Sequence, residues 1–150
     1  MLRDDINSAL KDAMKARDER RVSTLRLINA AIKNADLAQG RGKTVLADDE
    51  IAGLLQKLVK QRQESVEIYD RAGRTDLADR ERGEIEVIRA YLPQQMSEDE
   101  ASAAIAAVIQ QTGAQGMKDM GKVMTALKQD YAGRIDFAKA SATVKTLLNG

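Results

Sequence analysis

Residues 91–100 read YLPQQMSEDE, and this stretch decides how the chain is built. Pro93 lacks an N–H and pushes Leu92 out of the helical region, so a helix arriving from upstream has to stop there. Just beyond it, Ser97 and Glu100 have the spacing of a capping box, with Met96 and Ala101 in the staple positions. A helix stopped and restarted within so few residues marks the end of one unit and the start of another. The expected division is an N-terminal helical domain over 1–92 and a small C-terminal domain over 93–150.

Upstream of the break the apolar residues recur with a period near 3.6, and no stretch alternates as a strand would. Leu2, Ile6, Leu10 and Met14 line one face of a first helix. After a polar break around Arg17 to Arg20, Val22, Leu25, Ile28 and Ile32 line a second. A loop is expected from Asp36 to Ala47, where Gly40 and Gly42 flank a basic residue. Asp48 is the expected N-cap of a third helix, which carries Ile51, Leu55, Leu58, Val66 and Tyr69 and ends near Gly73. A fourth runs from about Thr75 to Tyr91 with Leu77, Ile85 and Ile88 inward.

Downstream, three short helices are expected. Their apolar positions are Ile105, Val108 and Ile109; then Met120, Val123, Met124 and Leu127; then Phe137, Val144, Leu147 and Leu148. The fold class is therefore all-α, a four-helix unit followed by a three-helix tail domain. A unit as small as the tail has a marginal core by surface-to-volume scaling.

Composition excludes several functions. The 150 residues hold 24 basic and 23 acidic side chains, a net charge of +1, so a nucleic-acid surface has to come from local asymmetry. The absence of cysteine removes thiolate chemistry and cysteine zinc sites. The absence of histidine removes the commonest general base and metal ligand. No apolar run approaches a membrane span, and MLRDDINSALKD at the start is too polar for a signal peptide. A monomeric cytoplasmic protein with no membrane contact, cofactor or metal is the expectation.

Local asymmetry is found in the tail. From Gly113 onward Lys118, Lys122, Lys128, Arg134, Lys139 and Lys145 face only Asp119, Asp130 and Asp136. Lys118 and Lys122 share a helix face, Lys128 lies further along, and Arg134 falls in a turn. They are candidates for contacting phosphates, with Gly121 letting a ribose-phosphate backbone come close. The plainer alternative is a solvated face with Gly121 as a helix-packing contact. In the first unit Arg62 is in register with the apolar face of its helix. A hairpin about Gly73 brings it to Glu81 and Glu84 as a structural ion pair. Arg17, Arg20, Arg21 and Arg26 are interleaved with acids and read as a solvated face. Glu81, Glu84 and Glu86 lack the converging ligands of a cation site. Met117, Met120 and Met124 form a stripe that reads as core, with an adaptable protein-binding groove as the alternative. No aromatic sits beside a basic cluster as a stacking platform would.

Several blocks in order also carry a resemblance. STLRLINAAIKN (23–34), KLVKQRQES (57–65), YDRAGRTDLADRE (69–81), YLPQQMSEDE and MGKVM (120–124) with Gly133-Arg134-Ile135-Asp136 resemble the YqeY family. That family's tail domain is shared with the B subunit of the tRNA-dependent amidotransferase, which converts misacylated Glu-tRNA(Gln) or Asp-tRNA(Asn). The resemblance implies a tail that grips tRNA or another structured RNA, with the role carried to Lys118, Gly121, Lys122 and Arg134. Nothing resembles the amidotransferase's catalytic cradle. Carbon-nitrogen ligase activity with glutamine as donor is therefore not expected of this chain, and no catalytic residue is assigned. The competing expectation is a non-catalytic adaptor docking on an amidotransferase or an aminoacyl-tRNA synthetase.

Overall fold

A computed structural model describes residues 1–39 and 45–149. Among them are seven α-helices and no strand: α1 (Leu2–Lys15), α2 (Glu19–Ala38), α3 (Asp48–Arg71), α4 (Thr75–Arg89), α5 (Glu98–Thr112), α6 (Met120–Tyr131) and α7 (Phe137–Asn149). A single 3₁₀ turn, Met117–Asp119, leads into α6. The chain forms two compact units, Met1–Pro93 and Gln94–Gly150. The all-helical expectation is met. The loop expected over Asp36 to Ala47 is shorter at its start, since α2 continues to Ala38, and its residues 40–44 lie outside the described residues.

In the first unit Ile6, Ala13, Leu25, Ile28, Ile32, Ile51, Leu55, Val59, Ile85 and Ile88 form one buried cluster. Met14 is not part of it: it is 49% exposed, and Ala13 is buried in its place. From Ile6, position 13 is two turns on, whereas position 14 has drifted round the helix. Arg17 turns the chain with φ 56°, and Asp18 caps α2 by accepting the Arg21 N–H at 3.2 Å. Asp48 is the first residue of α3, not its cap; Ala47 holds the cap position, and Glu50 accepts the Ala47 N–H at 3.2 Å. The Asp48 carboxylate is occupied elsewhere, accepting the Leu2 N–H at the start of α1 at 3.1 Å. Asp36 pairs with Arg3 at 2.9 Å and also accepts the Leu46 N–H at 2.9 Å, which ties the end of α2 to the approach of α3. Those two bonds, Arg3 first, hold the Asp36 carboxyl below the usual carboxylate range.

α3 and α4 form a hairpin about Gly73, whose φ of 71° suits glycine, and the Arg74 N–H closes it on the Tyr69 carbonyl at 2.9 Å. Arg82 of α4 reaches back to Asp70 of α3. Further along, α2 crosses α4 where Gly83 leaves room for Arg20, whose Nη1 lies 2.8 Å from where a Cβ would stand.

The second unit begins with the capping box in place. Ser97 Oγ accepts the Glu100 N–H and Glu100 Oε1 accepts the Ser97 N–H, both at 3.1 Å. Met96 and Ala101 pack against a core of Ile105, Val108, Val123, Leu127, Ile135, Ala140 and Val144. Leu147 stays outside it at 47% exposure. Gly113 ends α5 with φ 68°, and buried Gly133 turns the chain after α6 with φ 78°. Asp136 Oδ1 then caps α7 by accepting the Ala138 N–H at 2.9 Å.

Candidate nucleic-acid interface

α6 is amphipathic, and its inward face is set by Val123 and Leu127, both fully buried, with Met120 and Met124 packed beside them. At 100° per residue the opposite face must then carry Gly121, Lys122, Thr125, Lys128 and Gln129, and all five are exposed. Lys118, in the preceding 3₁₀ turn, is exposed as well and stands one turn before Lys122. From Lys122 to Lys128 the helix rises about 9 Å and their directions differ by about 120°, so the charges stand at the two borders of the exposed face rather than gathered at a point. Among the described residues none of the three lysines has a carboxylate within ion-pair distance, whereas Lys139 pairs with Glu98 at 3.7 Å. Asp119, the acid nearest in sequence to Lys118, is occupied by the Gln115 N–H at 2.9 Å.

Gly121 stands open on this face. A Cβ placed there would meet nothing within 4 Å, so this glycine does not serve as a helix-packing contact. A glycine in a helix interior costs roughly 0.5–1 kcal/mol against alanine; Gly121, the second residue of α6, costs less than that, and no packing partner offsets it. Thr125 was not singled out by sequence; its hydroxyl donates to the Gly121 carbonyl at 2.8 Å, and its spacing from Gly121 was the signal that placed it on this face.

Arg134 is placed differently from the lysines. Its Nε donates to the Gln94 carbonyl at 3.1 Å and its guanidinium lies 5.8 Å from the Tyr131 ring centre. The Arg134 carbonyl in turn accepts the Met96 N–H at 2.9 Å. It anchors the segment entering α5 to the turn after α6, and it is partly buried there. Met117, at 38% exposure, is the one methionine of its stripe that the core leaves largely uncovered.

In the first unit Arg62 Nε pairs with Glu84 Oε2 at 2.9 Å, and Arg62 Nη1 donates to the Leu58 carbonyl at 3.0 Å. Glu81 lies beside this pair: burial first, then the neighbouring Glu84 charge, pushes its carboxyl above the usual range. Arg20 and Arg26 are exposed on α2. Among the described residues no group of three or more acids could hold a metal ion, and no helix is long and apolar enough to cross a membrane.

The model of the Yqey-like protein family matches residues 3–148, nearly the whole chain. The chain belongs to the YqeY family. Among curated relatives, the "altered inheritance of mitochondria protein 41, mitochondrial" of Lachancea thermotolerans is 38% identical over 91 residues, 60% of this chain and 47% of that protein. The protein of the same name from Eremothecium gossypii is 31% identical over 142 residues, 93% of this chain and 76% of its own length. A Schizosaccharomyces pombe protein is 33% identical over 92 residues, 61% of this chain and 72% of its own. The chain thus spans about half the length of the Lachancea relative.

Proposed function

We propose that this YqeY-family chain binds structured RNA, a tRNA by family likeness, through the exposed face of α6. One observation carries this: Lys118 just before α6, and Lys122 and Lys128 at the borders of its outer face, are exposed without carboxylate partners among the described residues, beside a glycine that fills no packing role. Such a face meets phosphates as point charges and reads shape and backbone rather than base sequence. Arg134 enters as the residue that fixes the start of α5 against the end of α6, and its remaining guanidinium edge can add to the contact. The 1–92 and 93–150 segments act as separate domains, with the RNA on the second. No catalysis is assigned to this chain; a glutamine-dependent carbon-nitrogen ligase activity belongs to the amidotransferase. The cytoplasm is the proposed compartment, while the names of two relatives place those proteins in mitochondria. The adaptor alternative has less to stand on at the methionine stripe, since Met120 and Met124 are taken up by the core.

Gly121→Ala separates stability from binding. The substitution is expected to stabilise the second unit slightly, by up to about 0.5 kcal/mol in urea unfolding, because Gly121 lies in the first turn of α6 and a methyl there meets only open space. Affinity for tRNA is expected to fall about three- to tenfold as the backbone is held off the helix. A stabilised variant that binds tRNA as tightly as the parent would contradict the close approach at Gly121.

A further inference from the structure

A cleft of about 340 Å³ opens between the start of α5 and the start of α7. It exists because both walls are made of short side chains: Ala101 and Ser102 on α5 stand opposite Ala140 and Thr143 on α7. Its floor reaches the core at Ile105 and Ile135, which are 2% and 3% exposed. The volume falls in the range of pockets that take a substantial apolar group.

Its rim is acidic. Glu98 lines the opening, and α5 carries no basic residue at all. Asp136 also lines the cleft, with its Oδ1 engaged in capping α7. The single cation at the rim, Lys139, meets Glu98 at 3.7 Å with side chains 72% and 90% exposed, a pair that solvent screens heavily. An incoming cation can take its place at Glu98 at little cost.

We propose that this cleft docks an amphipathic helix of a partner protein, with apolar anchors one turn apart held between Ala101 and Ala140 above Ile105 and Ile135, and a lysine or arginine against Glu98. A trough between two helices accepts the apolar ridge of a third, the helix-in-groove mode of recognition. The acidic rim disfavours phosphates, so this site is distinct from the lysine face of α6, with which it shares no residue. It stands whether or not α6 binds RNA.

The test uses the full chain, isotopically labelled for NMR, and a synthetic helical peptide with leucines at i, i+4 and i+7 among lysines. Amide shifts are expected to move within residues 96–105 and 135–143. Ser102→Trp, at an exposed helix position, fills the cleft and is expected to weaken binding at least tenfold with helicity unchanged. Glu98→Lys provides a second handle and is expected to weaken it about three- to tenfold. A peptide with glutamates for lysines is expected to lose binding. Shifts that map to α6, binding indifferent to both substitutions, or no binding up to millimolar peptide would overturn the proposal. A small alkylammonium ion binding as tightly as the peptide would overturn the choice of occupant.

Discussion

Replacing Leu127 with alanine is expected to unfold residues 94–150 under conditions where the parent chain is folded. Leu127 is fully buried at the centre of the second core, among Val108, Val123, Ile135 and Val144. Truncating a leucine in such a place costs about 2–5 kcal/mol, the lost transfer free energy plus the cavity left behind. A core this small has little stability in reserve, so most or all of it is consumed. Native-state hydrogen exchange on the full chain is the measurement. Protection is expected to vanish over α5 to α7 and to persist over α3 and α4. Loss of protection in both units together would show that they unfold as one.

Replacing Arg62 with methionine is expected to destabilise the first unit by about 1–3 kcal/mol. The pair with Glu84 is 2.9 Å long, with side chains only 11% and 18% exposed, so removing the cation leaves a largely covered carboxylate without its partner. Glu81 makes matters worse, because its carboxyl is already raised by burial and by the Glu84 charge, and of the two arginines that oppose that rise, Arg62 and Arg80, Arg62 does so the more. The pH dependence has a definite sign. A glutamate whose folded-state pKa lies above its unfolded value binds protons more tightly when folded, so stability rises as pH falls through that interval. The loss in Arg62→Met is therefore expected to be largest at neutral pH and to shrink as the solution is acidified through the raised Glu81 range. Adding Glu84→Gln is expected to recover part of the loss at neutral pH. Strict additivity of the two substitutions in urea unfolding would contradict the coupling.

Features that depend on neighbours in sequence were readable without a structure. Pro93 and the Ser97–Glu100 box act within one helical turn, and both the break and the restart stand where their chemistry puts them. The exposed lysines of α6 follow from Val123 and Leu127 facing inward, since one helical period fixes both faces. Features that depend on distant partners were not readable. Asp48 has the local credentials of a cap, but its carboxylate serves the Leu2 N–H 46 residues away. Arg134 carries a charge suited to phosphate, yet its Nε is taken by the Gln94 carbonyl 40 residues earlier. Ala13 and Ala140 enter the two cores while Met14 and Leu147 do not. An alanine adds little to an apolar pattern, and which residue near a helix end is covered depends on what packs over it.

Salt tests most directly whether the outer face of α6 meets RNA phosphates. Unfractionated tRNA titrated into the full chain at about 50 mM and 200 mM salt, read by fluorescence anisotropy, is the measurement. Three or four neutralised phosphates predict a Kd in the ~10⁻⁴–10⁻⁶ M range and a log-log salt slope of roughly −2 to −4. Between the two salts that is a fall of about 15- to 250-fold. Lys118→Gln combined with Lys122→Gln is expected to lower the affinity and flatten the slope by about 2, with helicity unchanged. The double change of Arg20 and Arg21 to Gln is expected to matter less. No binding at the lower salt, or binding that survives the Lys118 and Lys122 substitutions and collapses after those in α2, would contradict an RNA site on the second unit.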